Sequence, residues 1–360
     1  MNLGPLKRIA LAPWWALQIF TSAKSFCDNP LIGSSRLNRL GLHRWRVRLA
    51  HALTNRRRER LAALVTREDR AAFERDGFVL HRNLLPPEAF EALRTRLLQQ
   101  AGPTREMLQG DTITRRFAVD TAFLRQVPEL RPLLDHPRWS GLTRYVAGYK
   151  RSPWVYVQSI LSHVCAAEPD PQTRLHADTF HPTMKAWFFL TDVGEDEGPF
   201  CYVPGSHRLT AERLAWEHQR SLSARHHTDR LSARGSFRVD ESELPGLKLP
   251  PAQSFAVPAN TLVVADTFGF HARGPSLQAS LRIEIWGYDR RNPYFPGSTD
   301  GILAAAGLTQ QRAPLYWKLL DGLEHWKLMR NPWRNAGIKT ADAPATFDHT
   351  AGTPMPADAD

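Results

Sequence analysis

The rhythm of apolar and polar residues changes several times along this chain. An apolar run of twelve residues, "IALAPWWALQIF" (Ile9 to Phe20), follows Lys7 and Arg8. It falls short of the roughly 20 residues that a bilayer-spanning helix needs, and Pro13, Trp14 and Trp15 sit awkwardly in the apolar centre of a secretory signal. Further on, "LHRWRVRLAHAL" places Leu42, Trp45, Leu49, Ala52 and Leu53 on one helical face, with Arg44, Arg46 and Arg48 beside it. From Thr66 the pattern becomes that of a compact domain. "TREDRAAFERDG" predicts a helix opened by a Thr66–Asp69 capping box and stopped at Gly77. The short strand "FVLHR" follows, and "PPEAFEALRTRLLQQ" predicts a helix with Phe90, Leu93, Leu97 and Leu98 along one side.

The middle of the chain is β-rich. "WVYVQSIL", "KAWFFLTDV", "FCYVPG", "SFAVP", "TLVVAD" and "LRIEIWGYD" are short runs of β-branched and aromatic residues punctuated by Pro, Gly and Asn. Many short strands without βαβ alternation predict a sandwich or barrel with flanking helices. A polar, Arg/His-rich insert near 206–250 reads as helix and then loop, and helical spacing returns in "APLYWKLLDGLEHWKLM". The expected organisation is an N-terminal extension over 1–65, one domain over 66–335, and a disordered Ala/Pro/Asp/Thr-rich tail over 336–360.

Charge sharpens the first of these boundaries. The net charge is +11, yet residues 1–60 hold 12 Lys/Arg against Asp28 and Glu59 alone. The basicity belongs to the extension, and the body is nearly balanced. A basic amphipathic helix behind a Trp-bearing apolar run fits an interfacial membrane contact through residues 1–60. It equally fits a segment packed on the body with its arginines solvated. Nucleic acid is not expected as a partner, because no base-reading module follows the basic residues. Three cysteines without CxxC spacing provide neither a disulfide framework nor a thiolate metal site. A cytoplasmic location, peripheral on the inner membrane face if the extension binds lipid, is the expectation.

The candidate chemistry lies in "HADTFHPTMKAW". On an extended chain His176 and Asp178 point to the same face and can reach one ion. A third, distant histidine would complete the two-histidine, one-carboxylate arrangement of non-haem Fe(II) oxygenases. His181 has the wrong phase for a straight strand and is read as a loop or rim residue. Downstream, His271 stands just past a strand, and Arg282 lies eleven residues later, far enough to return on a neighbouring strand. A guanidinium there can grip a carboxylate through a two-pronged contact. Asp266 can orient a ligand or cap a turn.

His-x-Asp, then "GPFCYVPGSH", then a distant His with Arg eleven residues on, resembles the phytanoyl-CoA dioxygenase family. "FERDGFVLHRNLLPPEAFEALRTRLL" is similar to the start of that family's domain, so the resemblance runs from about Thr66 to Arg290. It implies a double-stranded β-helix (a jelly roll, cupin-like) and dependence on Fe(II), 2-oxoglutarate and O2. By position, His176, Asp178 and His271 would ligate iron, and Arg282 would pair with the distal carboxylate of 2-oxoglutarate. Gln158 and Trp187 would line the cosubstrate pocket. No catalytic residue is implied beyond the metal ligands. Arg273 departs from the pattern, since the family often carries a small hydroxyl residue there. Asp178 sets the chain apart from related halogenases, in which a small residue replaces the carboxylate.

The function implied is hydroxylation of an unactivated C–H bond in a small or lipid-like substrate, with release of succinate and CO2. Desaturation or ring closure would use the same parts. Two alternatives stay open: a cupin-type metal dioxygenase independent of 2-oxoglutarate, and a non-catalytic jelly-roll binding protein. Arg282 separates the first reading from the second, because only 2-oxoglutarate needs a cation on the pocket floor.

Overall fold

The computed structural model describes residues 5–295 and 309–345. Two antiparallel sheets face each other. The larger combines β1 (Phe78–His81), β2 (Gly102–Gln109), β3 (Thr112–Ala118), β4 (Trp154–Leu161), β5 (Met184–Phe189), β8 (Thr261–Asp266), β10 (Leu281–Asp289) and β11 (Arg334–Lys339), in the order β1-β8-β5-β10-β4-β3-β2-β11. The smaller is β7-β6-β9, from β6 (Phe200–Tyr202), β7 (Gln253–Phe255) and β9 (His271–Arg273). This is the expected jelly roll with flanking helices.

The central strands of the larger sheet, β5, β8 and β10, are largely apolar because both of their faces are covered. Met184, Ala186 and Phe188 of β5, with Leu262, Val264, Ile283 and Ile285, pack against Phe73, Phe90, Leu93 and Trp139 of the helices Arg67–Asp76, Pro87–Gln99 and Pro137–Ala147. The alternate residues Trp187, Phe189, Val263 and Trp286 turn inward, to Phe200, Tyr202 and Phe255 of the smaller sheet. Period-two alternation thus sorts each strand into a helix-facing row and a cleft-facing row. Lys185, Gln158, Arg282 and Glu284 share the phase of the cleft-facing row.

The helix 67–76 forms as its sequence predicts. Thr66 accepts a hydrogen bond from the Asp69 amide, and Gly77 ends the helix at φ 87°. The hairpin β2–β3 carries no clear β pattern, because it mixes Thr, Arg, Gln and Met. Its polar residues are paired internally, as in the buried Arg115–Glu106 ion pair at 2.7 Å.

Two expectations need correction. Residues 336–345 are not a structureless tail: β11 pairs with β2, Ala341 is buried, and the Arg115 guanidinium donates to the carbonyls of Thr340, Ala343 and Pro344. That bonding satisfies a charge inside the fold, which composition does not reveal. The remainder of the expected tail, 346–360, lies outside the described residues.

The extension also packs differently from its apolar stripe. The helix Leu42–Leu61 buries His43, Arg46, Val47, Ala50, His51, Thr54 and Arg58, while Trp45 stays 42% exposed. Arg46 donates to the carbonyls of Ile19, Thr21 and Ala23, and Arg58 pairs with Asp266 at 2.8 Å. His43 meets Glu217 at 2.9 Å. Polar residues with designated partners therefore dock this helix on the body, beside Val47 and Ala50, which join Phe180, Leu214 and Phe268 with Leu49 and Leu53 at the margin. No described helix is long and apolar enough to cross a membrane.

Candidate metal centre

His271 opens β9, and its backbone pairs with that of His176. His176 N–H donates to the His271 carbonyl at 2.9 Å, and His271 N–H donates back at 3.0 Å. The Asp178 amide donates to the Thr267 carbonyl at 3.0 Å. Residues 95 apart in sequence thus become direct neighbours. Donor atoms of His176, Asp178 and His271 all lie within 4.8 Å of one another, and the three residues are buried. Asp178 Oδ1 is 3.7 Å from His176 Nε2 and 3.5 Å from His271 Nε2.

The histidines are oriented from behind. His176 Nδ1 lies 2.8 Å from the Arg174 carbonyl, and His271 Nδ1 lies 2.9 Å from the Gly269 carbonyl. A carbonyl can only accept, so each Nδ1 carries the proton and each Nε2 presents a lone pair. Both Nε2 atoms are buried and have no hydrogen-bond partner. Two orphaned acceptors facing one carboxylate oxygen are a poor arrangement for an empty core and a good one for a divalent cation. Burial, reinforced by His271 and Arg238, holds His176 well below its usual range, in the neutral form that a metal needs. Burial pushes the Asp178 carboxyl up, but the Lys185 ammonium outweighs it and keeps the group ionised.

The other residues singled out by sequence line the adjoining cleft: Gln158, Trp187, Arg273 and Arg282, beside His176 and His271. Arg282 is engaged already. Its Nε lies 2.9 Å from Glu284 Oε2, and Nη1 donates to the Gly198 carbonyl. Gln158 Nε2 donates to Glu284 Oε1 at 2.6 Å, and its Oε1 accepts from Arg116 Nε at 2.7 Å. Arg116, Gln158 and Glu284 stand in register across β3, β4 and β10, so the floor is one polar row. Sequence reasoning missed Glu284, Arg116 and the pairing of Lys185 with Asp178. Glu284 was within reach, since it shares the period-two face of Arg282 and Trp286.

Two bystanders are settled by position. His181 is fully buried rather than at a rim, its Nδ1 3.0 Å from the Pro182 carbonyl, and it is outside the cluster. Asp266 caps the turn before His271, accepting from the amides of Thr183 and Phe268.

Residues 73–235 match the family model Phytanoyl-CoA dioxygenase (PhyH), in agreement with the resemblance read from the sequence. Ectoine dioxygenase of Bordetella bronchiseptica is 30% identical over 151 residues, which is 38% of this chain and 48% of that protein. The ectoine dioxygenase of Bordetella parapertussis matches to the same extent. The chain therefore spans about half the length of these curated relatives. Among solved structures, HygX from Streptomyces hygroscopicus with nickel and 2-oxoglutarate bound is 18% identical, covering 62% of this chain and 87% of that one at a TM-score of 0.39. The non-haem alpha ketoglutarate dependent carbocyclase SnoK from nogalamycin biosynthesis is 23% identical, covering 67% and 90% at a TM-score of 0.39. His271 and Arg282 lie beyond the matched segment, so their place in the site rests on the geometry.

Proposed function

We propose that this chain, akin to the phytanoyl-CoA dioxygenase family over residues 73–235, is an Fe(II)/2-oxoglutarate-dependent oxygenase that hydroxylates an unactivated C–H bond of a small or lipid-like substrate. The observation that carries this reading is the buried His176–Asp178–His271 cluster, with both Nε2 atoms unpartnered and turned to one carboxylate. Iron held there would couple oxidative decarboxylation of 2-oxoglutarate, to succinate and CO2, with oxidation of the substrate.

The chain's own contribution is orientation, charge and exclusion of water. His176 and His271 present Nε2 because backbone carbonyls hold their Nδ1 protons. Lys185, 2.8 Å from Asp178 Oδ2, leaves Oδ1 as the oxygen turned to the histidines, so that a bound metal keeps open positions. Arg282, with Arg116 and Arg273 in the same cleft, supplies positive charge for a dicarboxylate. Trp187, Phe200 and Trp286 provide apolar walls against which an aliphatic or ring substrate can pack.

The test is succinate formation from 2-oxoglutarate by the full chain. Turnover should require added Fe(II) and vanish in His176→Ala, Asp178→Ala and His271→Ala. Iron binding without 2-oxoglutarate consumption would favour the cupin-type dioxygenase instead, and absence of metal binding would leave a non-catalytic jelly roll.

A further inference from the structure

We propose that the N-terminal extension is a docking surface for an anionic membrane leaflet, with the helix Pro5–Gln18 lying along the headgroup boundary. This surface is independent of the iron chemistry and lies outside the segment that matches the family model.

The helix has 14 residues, a length of about 21 Å. It is apolar yet uncovered: Leu11, Trp14 and Leu17 are 36%, 55% and 57% exposed, and none of them joins a core cluster among the described residues. Phe20, just past its end, is also exposed and makes an edge contact with Trp45 at 5.8 Å. Trp45 lies on the outward face of the helix Leu42–Leu61 together with Arg44, Arg48, Arg56 and Arg60, all exposed. The opposite face of that helix is the buried one. Apolar and aromatic residues thus continue directly into an arginine-bearing face, and the extension carries the chain's excess positive charge.

An apolar face of this kind calls for a partner, and the charge decides which one. A second copy of the chain would bring the same arginines against themselves. An anionic leaflet accepts both parts: tryptophan and leucine enter the headgroup region, while each arginine gains from the negative surface potential. The segment is also tied to the rest of the chain. Asn29 Nδ2 donates to the Trp15 carbonyl at 3.0 Å and to Gln18 Oε1 at 2.8 Å, and Arg46 clamps the turn that follows. From the same segment, Lys24 Nζ donates to the Asp178 backbone carbonyl at 2.7 Å. Docking would therefore set the metal loop at a defined height and orientation over the leaflet.

The experiment is co-sedimentation of the full chain with vesicles of phosphatidylcholine alone and with roughly 30% phosphatidylglycerol. Partition should be at least about tenfold stronger on the anionic vesicles and should weaken with salt. Trp14→Ala/Leu17→Ala and Arg44→Glu/Arg48→Glu should each lower it by about tenfold or more. All four residues are exposed, so circular dichroism and vesicle-free succinate formation should match the parent. Equal partition onto both vesicle types, or none onto either, overturns the proposal. So does a concentration-dependent dimer that Trp14→Ala/Leu17→Ala dissolves, because the face would then join two copies of the chain.

Discussion

Lys185 Nζ lies 2.8 Å from Asp178 Oδ2, so the one carboxylate among the three clustered side chains is divided between an ammonium on β5 and the space between two histidines. Both partners are buried, and the ion pair compensates a charge that would otherwise stand alone in the fold.

Lys185→Met removes that compensation. The metal-free protein should lose about 3 kcal/mol of stability, the usual cost of breaking a buried pair on one side. A bound dication then takes over the role of the ammonium, so added Ni(II) should raise the melting temperature of the variant more than that of the parent. Thermal melts with and without Ni(II) measure the difference, and equal shifts would show that Lys185 does not serve Asp178.

Arg282→Ala should raise the 2-oxoglutarate KM by about tenfold or more, while metal binding survives. It also strands Glu284, which is fully buried, at a cost of about 3 kcal/mol. Adding Glu284→Gln should recover most of that stability and leave KM high. If the double variant instead regained the parent KM, Arg282 would act only as the counter-ion of Glu284.

Gly269 sits where a side chain cannot. A Cβ there would fall on the Tyr202 hydroxyl and lie 3.0 Å from the Asp266 carbonyl, and the Gly269 carbonyl holds His271 Nδ1. Gly269→Ala must therefore shift the buried Tyr202 ring or the loop that aims His271. Calorimetric Ni(II) titration should show affinity reduced by about 10- to 100-fold, as when support behind a ligand is lost. Unchanged affinity in a folded variant would mean that the loop tolerates the shift.

Acid should destabilise this protein before its carboxylates titrate. Burial holds His51 well below its usual range and brings both His181 and His207 to about 3. In the unfolded chain the same groups protonate near about 6.5. Below that pH the unfolded state binds more protons than the native state, so stability falls as pH falls. The loss is at most roughly 1.4 kcal/mol per pH unit for each histidine, continuing towards about 3. Urea midpoints at about pH 7.5 and about pH 5 should differ clearly, and a flat profile would contradict the buried neutral state.

Arg46→Met should release the segment around residues 19–23, whose three carbonyls would lose their donor. Faster trypsin cleavage at Lys24 and a loss of about 2 to 4 kcal/mol are expected. An unchanged digestion pattern would show that the clamp is dispensable.

What the sequence determined by itself is local or periodic. Thr66 and Gly77 bound a helix because capping and left-handed backbone are short-range properties. The strands β4, β5, β8 and β10 are legible as short β-branched and aromatic runs, and their two rows follow from the alternation of side chains between faces. His176 and Asp178 are legible for the same reason, being two apart on extended chain. The tertiary structure alone decided which distant groups meet. Pairing of the His176 and His271 backbones closes the candidate metal site. Lys185 divides Asp178, and Glu284 engages Arg282 in a row with Gln158 and Arg116. Arg46, Arg58 and His43 help seat the extension on the body, alongside Val47 and Ala50. His176 with His271, Gln158 with Glu284, and Arg58 with Asp266 are far apart in sequence, and no local pattern records that they meet.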